Sequence, residues 1–262
     1  MQLIKPKVFI VGETRVIKSG LNAYLKHAGV PAWKSKDPPS DGELIIEVMG
    51  RLCYRSFVPE KNRNVKKVRE GNRPYILNIL DQVHGSVLEH SGVNIIFADV
   101  SRVFTHELVR HRAGTAISQE SLRFVRLDQL KMWAPTVIAE NEEALEIFVE
   151  TTEQLEQMQI KLAEIFELDV EGTPFHRKKI VTSAMRRIAP DGLATTIGWS
   201  ANFRTLRWVL EMRTDPSAEE EIRLVFGQLG NILLKRYPNV FGDFTVVEKE
   251  GLPHFVAKNH KV

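Results

Sequence analysis

Residues 110–124, RHRAGTAISQESLRF, gather three arginines, a histidine, a glutamate and several hydroxyl and amide side chains around a small-residue hinge at Ala113 and Gly114. Guanidinium forks match phosphate oxygens in both charge and geometry. Backbone N–H groups released at a hinge add further donors. The segment therefore reads as a loop that wraps a diphosphate or nucleotide phosphate with Arg110, Arg112 and Arg123, while Ser118, Gln119 and Ser121 offer directional hydrogen bonds. An arginine-rich surface helix laced with local salt bridges is the plainer alternative. Arginines recur inside otherwise apolar stretches, at Arg110, Arg112, Arg123, Arg186, Arg187, Arg204 and Arg213, where an unpaired buried guanidinium costs several kcal/mol. Internal carboxylates can satisfy any one of them; for the whole set a phosphorylated ligand is the more economical expectation.

Other chemistries are excluded by spacing and composition. Neither GxGxxG nor GxxxxGK[ST] occurs, so neither a Rossmann nor a P-loop nucleotide site is expected. HELVRH invites a zinc reading, but His106 and His111 are five residues apart and so diverge by about 140° around a helix, which rules the pair out as metal ligands. The single cysteine, Cys53, forms no internal disulfide and suits the reducing cytoplasm. It is expected as a small buried side chain of an amphipathic helix rather than a nucleophile. A net charge of +3, from 36 basic against 33 acidic side chains, is too small for a general nucleic-acid attractor. No apolar run approaches the roughly 20 residues of a membrane span. With 43% hydrophobic and 26% charged residues, the chain of 262 residues is a soluble globular protein.

Elements must position these groups. KVFIVG reads as a strand and SGLNAYLKHAG as a short helix ending at Gly29, together an N-terminal extension over residues 1–40. From residue 41 to 262 the chain reads as one catalytic domain. It starts with a helix capped by Asp41, then a basic surface loop, KNRNVKKVREGNRP, then a helix through YILNILDQV. SGVNIIFADVS and LATTIGWSA read as strands. Helices are expected over RVFTHELVRHR, the long acidic stretch 139–168, RKKIVTSAMRRIAP up to Pro190, NFRTLRWVLEMR begun by Asn202, and SAEEEIRLVFGQLGNILLKRY. Single strands among helices imply an α+β class, a sheet wrapped by long helices. Asn202, Leu206, Val209 and Arg213 fall at i, i+4, i+7 and i+11, so Arg213 shares an apolar stripe and points inward, whereas Arg204 lies on another azimuth.

The sequence resembles the flavin-dependent thymidylate synthases, the ThyX family, whose signature is Arg-His-Arg followed by Ser and then Arg-Tyr. GRLCYRS, HGSVLEH, SRVFTHELVRHR, MRRIAP and NFRTLRWVLEMR are similar to the family's blocks in the family's order, from about Arg51 to the final helix. The spacer over 113–120 is one residue longer than in that signature. Phe124 stands where Tyr is usual, Glu107 where Gln is frequent, and Trp208 where a polar residue often meets the flavin.

The resemblance implies the family's fold and a homotetramer with active sites where subunits meet. It implies reductive methylation of dUMP to dTMP, with FAD as hydride donor, NADPH as its reductant and methylenetetrahydrofolate as carbon source, and with no cysteine attack on the pyrimidine. By the same resemblance FAD would be held by His84, Ser86, Arg110, His111, Arg112, Gln119, Asn202, Arg204 and Trp208. The substrate dUMP would be held by Glu107, Arg110, Gln119, Glu120, Ser121, Arg123, Arg186 and Arg213, with Arg213 as the catalytic residue that stabilises charge on the ring. Two other functions remain open on the sequence. One is a flavin enzyme that methylates UMP or another pyrimidine nucleotide. The other is a non-catalytic nucleotide- or RNA-binding protein that uses the basic segment 61–73, although it lacks the interleaved aromatic platforms of single-strand binders.

Overall fold

The computed structural model describes residues 1–65, 67–260 and 262. Lys66, within the expected basic surface loop, lies outside the described residues. In chain order the elements are β1 (Gln2–Leu3), β2 (Lys7–Glu13), α1 (Lys18–His27), α2 (Asp41–Tyr54), α3 (Asn72–Asp81), β3 (Gly92–Ser101), α4 (Arg102–Leu108), β4 (Thr115–Gln119) and β5 (Lys131–Met132). They continue as α5 (Thr136–Ala139), α6 (Glu142–Ile165), α7 (Phe175–Met185), β6 (Ala194–Asn202), α8 (Phe203–Thr214), α9 (Glu220–Arg236), α10 (Pro238–Phe241), β7 (Phe244–Lys249) and β8 (Leu252–Ala257). Helix and sheet are mixed, as expected. One sheet has the order β2-β3-β6-β4, β1 pairs with β5 in parallel, and β7 pairs with β8 in antiparallel register. Among the described residues no helix is long and apolar enough to cross a membrane.

The chain forms two compact units. The first comprises Met1–Phe9, Ile96–Arg110 and Ile117–Gly198; the second comprises Ile10–Ile95, His111–Ala116 and Trp199–Val262. In the first unit Leu122, Leu127, Leu130, Met132 and Leu193 make one apolar cluster, with Phe148 and Leu155 of α6 against it, and Ala163, Leu168 and Met185 make another. The second unit holds the larger core, including Ile46, Ile76, Leu206, Val209, Phe226, Leu229, Phe241 and Phe255, all fully buried.

Local signals explain where elements start. Ser40, not Asp41, caps α2. Its hydroxyl accepts from Glu43 N at 3.2 Å and donates to Glu43 Oε2 at 2.9 Å, a side-chain cap in which the S-x-x-E pair also closes hydroxyl to carboxylate. Asn72 to Pro74, expected in the preceding loop, form the first turn of α3, where a proline's missing N–H has no helical partner to lose. Asn202 caps α8 as expected, its Oδ1 accepting from Thr205 N at 2.9 Å. Along β6, Thr195, Ile197, Trp199 and Ala201 are buried while their neighbours are half-exposed, the period-two pattern of a strand with one covered face.

Four expectations are corrected. The helix over RVFTHELVRHR stops at Leu108, so Arg110 to Arg112 lie in a turn. Residues 115–119, read as loop, are strand β4. Cys53 is exposed, because its position in the last turn of α2 faces away from the core. The acidic stretch 139–168 is broken at Asn141, which caps α6 by accepting from Ala144 N at 3.0 Å. Residues 244–257, to which the sequence patterns assign no element, form the β7–β8 hairpin. Its turn residues Glu250 and Gly251 are both left-handed, at φ 54° and 73°, the combination that two-residue hairpin turns favour.

That hairpin is tied to α8 by a buried ion pair. The Arg207 guanidinium meets Asp243 through two hydrogen bonds, 2.6 and 2.8 Å, with side chains only 2% and 3% exposed, and also donates to Val240 O. Burial alone would push the Asp243 carboxyl up, but Arg207 and Asn259 outweigh it and hold it below the usual carboxylate range. Breaking such a pair from one side strands the other charge. Asp243→Ala should therefore lower unfolding free energy by about 3–5 kcal/mol, read from urea denaturation at pH 7. A loss under about 1 kcal/mol, the surface-pair range, would show that Arg207 finds another anion.

Candidate functional site

The arginines expected to be buried are mostly exposed, Arg110, Arg112, Arg123, Arg186, Arg187 and Arg204 among them. The deeply buried ones are Arg51, Arg207 and Arg223, paired internally with Glu47, Asp243 and Glu250. Arg51 also donates to Ser56 O and Arg69 O, both at 2.7 Å. Buried carboxylates satisfy Arg51 and Arg207, the exposed Glu250 satisfies Arg223, and the exposed guanidiniums are the ones open to a ligand. Among the described residues Arg112, Arg123 and Arg186 have no ion-pair partner.

In the second unit the turn after Arg110 is fastened to the start of α8. Asn202 N donates to Gly114 O at 3.0 Å, and Thr205 Oγ1 donates to Ala113 O at 2.7 Å. Gly114 has φ +68°, and a Cβ there would collide with the Asn202 amide and lie 2.6 Å from Thr205 Oγ1. Only glycine fits both the conformation and the space. Within the same turn Thr115 Oγ1 bonds to His111 O at 2.8 Å.

His111 is 4% exposed, with Trp208 edge-on to its ring at 5.3 Å between centroids. Arg213 Nε donates to His111 Nε2 at 2.8 Å. An arginine has no acceptor to offer, so Nε2 must carry the lone pair and the ring proton sits on Nδ1. Burial, reinforced by the Arg213 charge, pushes the imidazole down to about 4, which keeps it neutral and able to accept. Arg213 is half-buried, and Leu206 and Val209 of its stripe are fully buried.

Around these residues lie two hollows. One, about 390 Å³, is lined by Asn202, Arg204, Thr205 and Trp208 of α8 together with Ala113 and Gly114 of the turn. Arg204 is braced across it by Glu89 at 2.6 Å, and Trp208 is 50% exposed. The second, about 330 Å³, is lined by His84, Ser86, Cys53, Tyr54 and again Arg204. His84 stacks on Tyr54 with ring centroids 5.9 Å apart. The expected flavin residues Asn202, Arg204 and Trp208 therefore share one hollow, and His84 and Ser86 share the other, with Arg204 common to both.

In the first unit Gln119 Nε2 donates to Thr105 Oγ1 at 3.2 Å, and Arg110 Nε to His106 O at 3.2 Å. The Glu120 carboxylate accepts from Thr196 N at 2.8 Å and Thr195 Oγ1 at 3.5 Å, so it extends the pairing of β4 with β6 although the residue is exposed. Ser121 Oγ accepts from Arg123 N at 3.4 Å, and Arg123 O accepts from Thr182 Oγ1 at 2.8 Å. This fixes the Arg123 backbone on α7, the helix that leads into Arg186. Glu107 is half-buried. Phe124 lies ring-on-ring with Phe175, centroids 6.0 Å apart and 15° between planes, both more than half exposed, with Lys179 over the Phe124 ring. Sequence reasoning missed Thr105, Glu89 and Thr205, which act only through tertiary partners.

His111 makes a pH dependence. Its imidazole titrates near 6.5 when unfolded and at about 4 when folded, so the unfolded chain binds the extra proton between those values. The stability that the neutral ring contributes is complete above pH 6.5, declines as pH falls toward 4, and declines no further below that. His111→Gln should show a smaller drop in urea midpoint from pH 7 to pH 5 than the parent. Equal drops would mean that other groups govern the acid limb.

A family model described as Thy1, thymidylate synthase complementing protein, matches residues 37–239. A flavin-dependent thymidylate synthase of Corynebacterium glutamicum is 32% identical over 226 residues, covering 82% of this chain and 88% of that relative. One of Mycolicibacterium vanbaalenii is 33% identical over 214 residues, covering 79% and 81%. Among solved structures, Helicobacter pylori ThyX with FAD and dUMP superposes with a TM-score of 0.55 at 21% identity, over 77% of this chain and 93% of that one. A Streptomyces cacaoi UMP/dUMP methylase, PolB, bound with 5-Br UMP, gives a TM-score of 0.60 at 15% identity over 92% and 94%. These two structural likenesses speak to the fold.

Proposed function

This chain belongs to the family of flavin-dependent thymidylate synthases, and from that premise we propose that it methylates dUMP to dTMP with FAD, taking electrons from NADPH and carbon from methylenetetrahydrofolate. The observation that carries the reading is the Arg213–His111 contact. A neutral imidazole lone pair, buried beside Trp208, sets the plane of the one arginine whose charge the reaction needs. A preorganised cation costs no reorganisation when negative charge builds on the pyrimidine ring.

The residues suit an aromatic, anionic dinucleotide. The hollow of about 390 Å³ offers the Trp208 indole as an apolar wall, Asn202 as an amide and Arg204 as a cation, and Arg112 next to the hinge is an exposed guanidinium for a diphosphate. When bound, FAD supplies the hydride that completes the methyl group. His84 and Ser86 serve FAD from the neighbouring hollow, and Arg110 and Gln119 serve both ligands. For dUMP, Arg123 and Arg186 hold the phosphate as forks, and Ser121 and Glu107 address the nucleoside. Glu120 has the lesser task of keeping Ser121 and Arg123 on the edge of the sheet.

Assembly into a homotetramer, with sites completed by neighbouring copies, belongs to the same proposal. The exposed Phe124–Phe175 stack, and Phe9 and Val11 on β2, which lies at the edge of its sheet, are apolar surface that a neighbouring chain would cover. The start of the family match at residue 37 supports reading residues 1–40 as an added extension. The proposed compartment is the cytoplasm, where the exposed Cys53 thiol stays reduced. A second reading, methylation of UMP, is favoured by the likeness to the UMP/dUMP methylase over nearly the whole chain. Turnover on dUMP beside UMP separates the two.

Arg213→Ala should keep FAD and its reduction by NADPH, yet lose dTMP formation by roughly two to three decades. Arg213→Lys should recover little, because a point charge cannot reproduce the planar fork or the Nε bond to His111. The checks are steady-state dTMP production and the change in flavin spectrum on adding dUMP. An alanine variant that binds dUMP normally and turns over near the parent rate would remove Arg213 from the mechanism.

A further inference from the structure

The family model ends at residue 239, but the chain beyond it returns to the hollow that holds Arg204 and Trp208. The β7–β8 hairpin packs on α8 and α9, with Phe255 fully buried against Gly230, where a Cβ would come within 2.6 Å of the ring. After the hairpin, Lys258 N donates to Asp243 O at 3.1 Å, and Asn259 donates to Asp243 Oδ2 through both its N and its Nδ2 at 3.2 Å. Ala257 N donates to Glu211 Oε1 at 3.2 Å, and the same oxygen lies 2.6 Å from His260 Nδ1. The tail is thus pinned at Arg207 and Glu211, one turn apart on α8. The row they form adjoins the row of Arg204 and Trp208.

Two consequences follow for the hollow. His260 and Val262 line it together with Ala113 and Gly114. Val262 is buried, and Gly85 leaves the room it occupies, since a Cβ there would lie 2.7 Å from the Val262 carbonyl carbon and 2.9 Å from Arg204 Nε. A carboxylate only accepts, so Glu211 fixes the His260 proton on Nδ1 and sets the orientation of the ring. Nε2 is left as the polar atom of the ring for a ligand.

We propose that His260 and Val262 form a wall of the FAD cavity, that His260 contacts the bound cofactor, and that Glu211 is a positioning residue acting through His260. The inference rests on the reading of this hollow as the FAD site. The test is titration of FAD into the purified protein, followed by flavin fluorescence and by the position of the flavin absorbance maximum. The proteins compared are the parent, a chain ending at Ala257, His260→Ala, His260→Asn and Glu211→Gln.

The shortened chain should bind FAD at least tenfold more weakly, and His260→Ala several-fold more weakly with a shifted absorbance maximum. Glu211→Gln should weaken binding in the same direction but less, and His260→Asn, which keeps a donor for Glu211, should recover part of the loss. His260→Ala at parental affinity and spectrum, with an unchanged urea midpoint, would overturn the proposal, even if the shortened chain fails to fold. A parent that binds no FAD would instead overturn the reading of the cavity itself, and the wall with it.

Discussion

The candidate site depends on one crowded corner, where the left-handed Gly114 presses against Asn202 and Thr205 at the start of α8. Asn202 does double duty there. Its side chain caps the helix, and its backbone N–H holds the Gly114 carbonyl. The corner thereby fixes the exit direction of the turn that begins at His111, and with it the place where the imidazole meets Arg213. A polar cap is worth about 1 kcal/mol, small against folding stability, so its weight here lies in geometry rather than in energy.

Charge is distributed by a simple rule. Arg51, Arg207 and Arg223 lie in the interior, the first two facing buried carboxylates and the third reaching the exposed Glu250 of the hairpin turn, because an unmatched charge inside costs several kcal/mol. Arg112, Arg123 and Arg186 lie in solvent, where an unpaired guanidinium costs almost nothing until a ligand arrives. Arg213 is intermediate. It is half-buried, and one of its contacts is to a neutral imidazole, which orients it without adding a negative charge.

Much of this was legible in the sequence wherever a signal was local. The stripe from Asn202 to Arg213 placed Leu206 and Val209 in the core and brought Arg213 inward. The alternation in β6 and the Asn202 cap also needed only neighbours in the chain. The pairing of Arg51 with Glu47, at i and i+4, was equally available. By contrast, Arg207 finds Asp243 36 residues away, and nothing near either residue announces the match. Strand β4 was hidden because an edge strand with exposed faces lacks the apolar alternation that marks a strand, and polar residues such as Ser118 and Gln119 look like loop. The apolar company of Arg110 and Arg186 suggested burial, yet which side of an element faces the core is decided by packing and not by the flanking letters.

Helix α8 is a strut as well as a platform. Arg204 and Arg213 are nine residues apart on it, which at the α-helical rise and twist means about 13 Å along the axis and about half a revolution around it. Two charges that leave the helix that far apart and on opposite sides are directed at different groups of atoms, so the helix sets the stand-off between the partners of Arg204 and of Arg213. A single inserted residue between them would swing Arg213 by about 100° while leaving every side chain intact. The working distance is therefore stored in the length of the helix, a property that belongs to no individual residue.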